Sequence, residues 1–442
     1  MATSSAIERL IAEWRAFLHQ HQINQLIIGY SGGLDSHVLL HLLASHFHDL
    51  SLQAIYVDHQ QSLHAKHWQA HTQAVCEQLG VAYQSVAIRG QQKAGESLEA
   101  FLREQRYAIF KQKICDDKTA LMVAHHADDQ AETVLLRLLR GAGPVGLAAM
   151  QPSQRFDKGW LLRPLLTLSK SELELYARQH QLQWVEDESN QDQRFDRNYV
   201  RQTVMPLLKQ RWPGLHKTLP RTASLCQESQ VLLEEVAVAD GATNTNPLNW
   251  QPLRSLSLPR QANALRSWLF GLGVLSPSQA QLKAFLHQLA TAASDKVPAL
   301  FLSLGVIRYY RSQLYYCQQK TERPIPSLLW DLREELIIGN GRLTVKRVQG
   351  QGLSAAKISL PLRVTSRAGG EVIQLGRSQC HQRLKNCWQQ WGIPPWQRVS
   401  YPLLYQDATL VAVPGLAVGN EWAAAPDETG LVVEWKADRR AS

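Results

Sequence analysis

The chain has 442 residues, 45% of them apolar and 19% charged; this predicts roughly three domains and excludes a largely disordered chain. No apolar run approaches the ~20 residues of a membrane helix, and the N-terminus lacks the basic start, long apolar centre and cleavage site of a secretory signal. The net charge of +9 is unevenly spread: residues 1–240 hold 24 Lys and Arg against 26 Asp and Glu, residues 241–350 hold 13 against 5, and residues 351–442 hold 10 against 7.

The first segment, MATSSAIERLIAEWRAFLHQ, reads as an amphipathic helix. LIIGY (26–30) is a short strand running into a Gly-rich turn, and HVLLHLLASHF has helical spacing. LQAIYVDH (52–59) and VAYQSVAI (81–88) read as strands around a polar helix (62–79). SLEAFLREQRYAIFKQKI (97–114) is helical, ALMVAHH (120–126) is a fourth strand, and DDQAETVLLRLLRG opens a helix that stops at Gly141. This alternation predicts a doubly wound parallel α/β sheet, whose ligands lie at the carboxyl ends of the strands. A block at 160–215 adds LLRPLL, a helix from Ser169 and a polar segment. Residues 216–238 read as a connecting helix and GATNTNP (241–247) as a linker. Helical patterns at 261–270 and 278–293 precede strand-like YYRSQLYYC, and from about 327 the chain is β-rich. The expected division is a catalytic domain at 1–215, a linker helix with a mainly helical, basic domain at 216–326, and a small β-rich domain at 327–442. A basic region behind a balanced one points to a polyanionic substrate held away from the chemistry, with a solubilising surface as the alternative. The six cysteines form no CxxC pair and read as reduced thiols of a cytosolic, cytoplasmic protein.

Ser31-Gly32-Gly33-Leu34-Asp35-Ser36 lies between a strand and a helix. Two glycines let the backbone approach an anion without a Cβ in the way, the helix N-terminus offers unpaired N–H groups, and two serines add hydroxyls. A carboxylate repels phosphate, so Asp35 makes sense as a ligand of a Mg²⁺ that bridges it to the phosphates. A plain helix cap is the alternative; the strand–loop–helix setting favours the phosphate site. No GxxxxGK[ST] occurs, so this is not a Walker loop.

The run His125-His126-Ala127-Asp128-Asp129-Gln130-Ala131-Glu132-Thr133 follows the fourth strand. Asp129 and Glu132 are three apart and share a helical face, where two carboxylates beside a nucleotide suit a cationic amine or a metal. First-turn helix charge explains Asp128 well, the pair less well. Arg103 and Arg106, in LREQRY, lie three apart on a helix and alone would read as a solvated face. WVEDESN (184–190) precedes RNYVR (197–201), together a polar loop opening onto a basic helix. IPPWQR (393–398) stands near the C-terminus.

SGGLDS resembles the pyrophosphate loop of the PP-loop ATP pyrophosphatase superfamily. Together with HHADDQAET, REQRY, RPLL, the DESN…RNYVR pair and PPWQR, it resembles the tRNA(Ile)-lysidine synthetase family over nearly the whole chain. His59-Gln60-Gln61-Ser62 lacks a glycine and an arginine often found there, and Leu102 replaces a usual alanine. The resemblance implies ATP-dependent joining of free L-lysine to C2 of cytidine 34 in the CAU anticodon of tRNA(Ile), through an adenylated cytidine, with AMP and pyrophosphate released. It implies ATP bound at residues 31–36, Mg²⁺ on Asp35, lysine on Asp129 and Glu132, and catalytic parts for Asp35, His125, Asp129, Glu132 and Arg103. His125 would orient the nucleotide or move a proton, and Arg103 would contact the base or the adenylate phosphate. Arg106, Arg197, Asn198 and Arg201 would bind tRNA. No membrane is involved, and assembly as a homodimer is left open.

Other readings fit less well. Sulfur-inserting thiolases use paired cysteines, and no pair exists. Glutamine-dependent amide transfer would place a nucleophilic cysteine after Met1. A non-enzymatic RNA-binding protein would not need Asp35, Asp129 and Glu132 together. His64, His67 and His71 share a helical face but read as solvated rather than as a metal site. Trp391 and Trp396 read as domain packing ahead of stacking on RNA.

Overall fold

The computed structural model describes residues 2–59, 64–90, 92, 97–186, 194–291, 297–318, 324–339, 341–375 and 380–437. The chain divides into two compact units, Met1–Leu232 and Leu233–Ser442. The first runs α1 (Ala2–Gln20), β1 (Gln25–Gly29), α2 (Leu34–His46), β2 (Ser51–Asp58), α3 (Ala65–Gln78), β3 (Ala82–Ala87), α4 (Leu98–Lys111), β4 (Thr119–Met122) and α5 (Ala127–Leu139). It continues through α6 (Pro144–Leu147), β5 (Ser153–Phe156), β6 (Gly159–Leu162), α7 (Lys170–Gln179), α8 (Asp196–Tyr199), α9 (Met205–Arg211) and α10 (Leu215–Ala239), which crosses into the second unit.

The first sheet has the order β3-β2-β1-β4-β6-β5. All neighbours are parallel except β5, which joins β6 as an antiparallel edge. Alternate residues of the central strands bury on opposite faces, since strand side chains alternate with period two. Leu26 and Ile28 of β1 and Ala120 and Met122 of β4 pack on one side, Ile27 and Leu121 on the other. Both faces are apolar because helices cover both. Strand order reverses at β1, which has β2 on one side and β4 on the other. A crevice therefore opens beyond the carboxyl ends of β1 and β4, where SGGLDS and HHADD both lie.

The second unit holds β7 (Leu248–Asn249), α11 (Leu258–Gly271), α12 (Gln279–Thr291), β8 (Ala299–Leu302), β9 (Gly305–Tyr310) and β10 (Gln313–Gln318). These strands form a sheet of order β7-β10-β9-β8 that shares a core with α11 and α12 around Trp268 and Phe285. Next come β11 (Leu328–Trp330), β12 (Leu336–Ile338), β13 (Gly341–Gln349), β14 (Leu353–Ser354), β15 (Leu362–Thr365), β16 (Val372–Gln374) and β17 (His381–Arg383). The chain closes with α13 (Leu384–Gln390), β18 (Leu403–Gln406), β19 (Thr409–Val413), β20 (Ala417–Val418) and β21 (Thr429–Ala437). They make sheets β11-β15-β18-β19-β20 and β12-β13-β21-β14 and the hairpin β16-β17. Among the described residues no helix is long and apolar enough to cross a membrane.

Three local readings change. YYRSQLYYC is a hairpin rather than one strand, because Arg311 and Ser312 both take positive φ (48° and 61°), the two-residue turn that matches strand twist. ALMVAHH leaves the sheet after Met122, because His126 must turn to cap α5. The β-rich tail contains a helix, α13, where Leu384, Cys387 and Trp388 bury one face.

Candidate active site

The loop after β1 is drawn tight by its own side chains. The Ser31 N–H donates to Ser36 Oγ (3.2 Å), the two hydroxyls lie 3.1 Å apart, and Ser36 Oγ–H donates to the Gly33 carbonyl (3.0 Å). Gly32 has φ +82°, and a Cβ there would meet Thr72 Cγ2 at 2.8 Å and Val185 Cγ2 at 3.0 Å. Glycine is required on both counts. The segment holding Val185 lies over the loop, its N–H donating to the Gly32 carbonyl (3.0 Å). Gly33 caps α2 with no side-chain hydrogen bond, which leaves the first N–H groups of the helix for an anion.

Asp35 sits in the first turn of α2. One oxygen, Oδ1, is buried with no hydrogen-bond partner among the described residues; the other lies 3.6 Å from His126 Nε2. An unpartnered carboxylate oxygen beside a phosphate loop is a hard donor of the kind that would suit Mg²⁺.

α5 begins on a reciprocal cap. The Asp129 N–H donates to His126 Nδ1 (3.4 Å), and the His126 N–H donates to Asp129 Oδ2 (3.1 Å). His126 Nε2 is also 3.4 Å from Asp129 Oδ2, so this buried imidazole links Asp35 to Asp129. Burial alone would lower the His126 pKa; the hydrogen bond its ring donates to Asp35 and the charges of Asp129, Asp35 and Asp128 outweigh it and raise it. Asp128 turns away. It accepts from the Lys170 N–H (2.9 Å) and from Lys209 Nζ, tying α5 to α7 and α9.

Asp129 and Glu132 are both buried on one face of α5. Arg197 donates to Asp129 Oδ1 (3.0 Å) and Glu132 Oε2 (3.2 Å). Arg201 donates to Asp129 Oδ1 (2.7 Å) and to both Glu132 oxygens (2.7 and 2.9 Å). The two arginines project together because they lie four apart across α8 and the π-helical turn Val200–Val204. Burial would push the Asp129 carboxyl up, but His126, Arg197, His125 and Arg201 together hold it well below the usual carboxylate range. The arginines expected to face RNA thus point inward here, onto the carboxylates expected to face lysine. Asn198 is half-buried on the same turn.

His125 has a buried Nδ1 with no hydrogen-bond partner among the described residues. Burial pushes its pKa down to about 3, helped by Arg163, Arg197 and Arg103 against Asp129, so the ring is neutral at physiological pH. Arg103 and Arg106 on α4 stack on Tyr107, with guanidinium carbons 5.0 and 6.0 Å from the ring centre; Arg103 is exposed. Residues 187–190 and Gln60, Gln61 and Ser62 lie outside the described residues. Of the three histidines on α3's face, His71 packs toward His37 (6.3 Å) and meets the Gln183 carbonyl (3.1 Å). No three His, Cys, Asp or Glu residues are grouped to hold a metal among the described residues.

Two residues escaped the sequence reading. His126 is signalled only as a polar residue three before an acid at a helix start, a capping pattern. Arg163, the arginine of RPLL, is buried, with Nη1 on the Gln151 carbonyl (2.7 Å) and Nε without a partner.

Known proteins fit this geometry. The PP-loop domain family matches residues 6–208, the TilS substrate binding domain residues 248–315 and the TilS substrate C-terminal domain residues 362–435. The tRNA(Ile)-lysidine synthase of Coxiella burnetii is 36% identical over 416 residues, 92% of this chain and 92% of its own. That of Serratia proteamaculans is 40% identical over 415 residues, 91% of this chain and 92% of its own. The chain belongs to the tRNA(Ile)-lysidine synthase family and is a ligase with an ATP-binding PP-loop domain.

Proposed function

We propose that this ligase joins free L-lysine to C2 of cytidine 34 in the CAU anticodon of tRNA(Ile), turning ATP into AMP and pyrophosphate. The modified base then reads AUA instead of AUG, and the tRNA accepts isoleucine instead of methionine. One observation carries the reading: a phosphate loop bearing the open carboxylate of Asp35 shares a crevice with the buried pair Asp129 and Glu132, with His126 between them.

The C2 oxygen of cytidine is a poor leaving group. Its attack on the α-phosphate forms the adenylate and expels pyrophosphate, which the open N–H groups of α2 and the hydroxyls of Ser31 and Ser36 would receive. Asp35 would hold Mg²⁺, which offsets phosphate charge when bound. The lysine ammonium gives up a proton to water, its amine attacks C2, the C2–O bond breaks with its electron pair going to the phosphate oxygen, and AMP leaves. The target base must leave its stack, which an anticodon loop permits more readily than a helix.

Asp129 and Glu132 would seat the lysine ammonium. Their oxygens already receive Arg197 and Arg201, so an amine enters by replacing guanidinium N–H groups. In this proposal Arg197 and Arg201 turn toward RNA phosphates as the substrate enters, beside Asn198 and Arg106, and the carboxylates pass to lysine. His125, whose pKa burial and the neighbouring arginines lower, is a poor acceptor for an ammonium proton. Its neutral ring orients the nucleotide instead, and Arg103 contacts the adenylate.

The test is incubation of a C34-containing tRNA(Ile) with ATP and labelled lysine. The expected result is labelled tRNA, with one AMP and one pyrophosphate per lysine joined. Pyrophosphate release without lysine transfer would overturn the reading.

A further inference from the structure

We propose that the IPPWQR segment is an interdomain clasp that fixes the spacing of the two C-terminal domains for tRNA, rather than a surface for stacking bases. Its functional consequence rests on the tRNA reading above; its structural part does not.

After α13 the chain turns at Gly392, passes the stiff Pro394-Pro395 pair, and places Trp396 away from its own domain's cores. The indole lies in a cluster with Val306 and Cys317 of the β9–β10 hairpin. Its ring meets Tyr310 at 6.0 Å and Tyr315 at 5.5 Å, both edge-on, and Arg308 stacks over it at 5.2 Å. It is 9% exposed, so it offers little face to a base. Arg398 is buried as well. Its Nε donates to the Ile393 carbonyl (2.8 Å), closing the segment on itself, and Nη2 reaches the Tyr310 hydroxyl (3.4 Å) of the other domain. From the hairpin turn, Arg311 donates to the Gln389 carbonyl at the end of α13. A Cβ on Gly392 would lie 3.0 Å from its Nη1. The hairpin is thus held at its tip by Arg311 and along its side by Trp396 and Arg398.

These contacts join domains that the relatives' families treat separately, residues 248–315 and 362–435. Two linked surfaces bind one ligand tightly only when their separation matches it, because a fixed spacing raises the effective concentration of the second contact. The CAU triplet also occurs in methionine tRNA, so discrimination must come from contacts outside the triplet, and a fixed spacing sets where the two domains make them. Trp396 and Arg398 are positioning residues in this role.

The experiment uses the full chain and the variants Trp396→Leu, Trp396→Phe, Arg398→Gln and Tyr310→Phe. Hydrogen exchange should show Trp396→Leu losing protection at 309–316 and 388–397, with Trp268 and Val411 in the separate cores still protected. The KM for tRNA(Ile) should rise roughly tenfold or more, with kcat at saturating tRNA and the KM for ATP near wild type. Selectivity over methionine tRNA should fall, and Trp396→Phe should restore most of the loss. If Trp396→Leu unfolds the domain, Tyr310→Phe, which removes only the hydroxyl that Arg398 reaches, decides by the same shifts. A seam that stays protected, or a loosened seam with unchanged KM and selectivity, overturns the clasp. If the wild type transfers no lysine, the function proposed above fails instead, while exchange and direct tRNA affinity still judge the clasp.

Discussion

Two groups of arginines, one in each unit, solve opposite problems, although Arg103 and Arg106 of the first unit also stack on a ring. In the first unit Arg197 and Arg201 are held on Asp129 and Glu132, so their charge is spent inside the crevice. In the second, Arg308 and Arg363 lie over rings and Arg398 and Arg311 donate to carbonyls, although Arg260 pairs with Asp240 and Lys346 with Glu434. Rings and carbonyls satisfy a guanidinium without cancelling it. The first unit is therefore poised for chemistry on charged groups in a low dielectric, and residues 241–350 keep 13 basic against 5 acidic residues for a polyanion.

The sharpest break of that contrast is at Asp35, whose open oxygen nothing else replaces. Asp35→Ala should slow Mg²⁺-dependent pyrophosphate release by ~10²-fold or more, the scale of one lost electrostatic stabiliser. Near-wild-type release would remove Asp35 from the chemistry. Next in size is the carboxylate pair. Changing Asp129 and Glu132 to their amides should raise the KM for lysine roughly 10–100-fold, from lost charged hydrogen bonds, with adenylation largely kept. Asp129 also caps α5 and touches His126, so Glu132→Gln is the cleaner variant. Loss of adenylation with unchanged lysine KM would move the pair to the nucleotide.

Separating the units tests the division directly. Leu215 and Leu219 pack near Ala131 and Met205, and Gln227 Nε2 donates to the Ala148 and Met150 carbonyls (2.7 and 3.1 Å). A cut near Leu215 would strip this helix from the first unit, so the informative truncation follows Leu232. Residues 1–232 should still bind ATP but hold tRNA weakly. Full-chain affinity should fall with salt at a log–log slope of roughly −0.7 to −0.9 per phosphate contact. Full affinity and full discrimination in the short chain would end the division of labour. A smaller effect is expected from Gly32→Ala, which forces a Cβ into φ +82° against Thr72 and Val185. The KM for ATP should rise about tenfold, from a conformational cost of ~1–2 kcal/mol that adenylation measurements at saturating ATP would not show.

What could be read from sequence was local. SGGLDS sits between one strand and one helix, and Asp129 and Glu132 share a face by spacing alone. The partners of that pair were not readable from spacing, since Arg197 and Arg201 lie 65 to 72 residues further on and only the fold brings them back. His126 was passed over because a capping residue looks like ordinary helix punctuation. The two-residue turn at Arg311-Ser312 carries no glycine or asparagine, so nothing marked it. Trp396 lies in a segment whose composition suits RNA as well as packing; its burial against another domain's hairpin is a long-range fact.

The buried crevice should also carry a pH signature. His125 and His126 are neighbours shifted in opposite directions. His125 is pushed down to about 3 by burial, so from pH ~6.5 downward the unfolded chain takes up a proton that the folded chain refuses, and stability falls. His126 is shifted up. Its contribution is complete below pH ~6.5 and is lost as pH rises through its folded value. Carboxylates start to titrate only near pH 4, and burial lowers His37 and His41 as well, so between pH 6.5 and 5 it is the difference between variant and wild type that isolates His125. Urea unfolding of the full chain across pH 5–8 should show His125→Asn flattening the acid-side fall and His126→Asn removing an alkaline-side one. Double substitution should remove both of these parts and leave the acid-side fall that His37 and His41 contribute. Profiles parallel to wild type for both single variants would mean that neither imidazole is held as the crevice geometry requires, and the contrast between a charge-cancelled interior and an uncancelled exterior would lose its electrostatic basis.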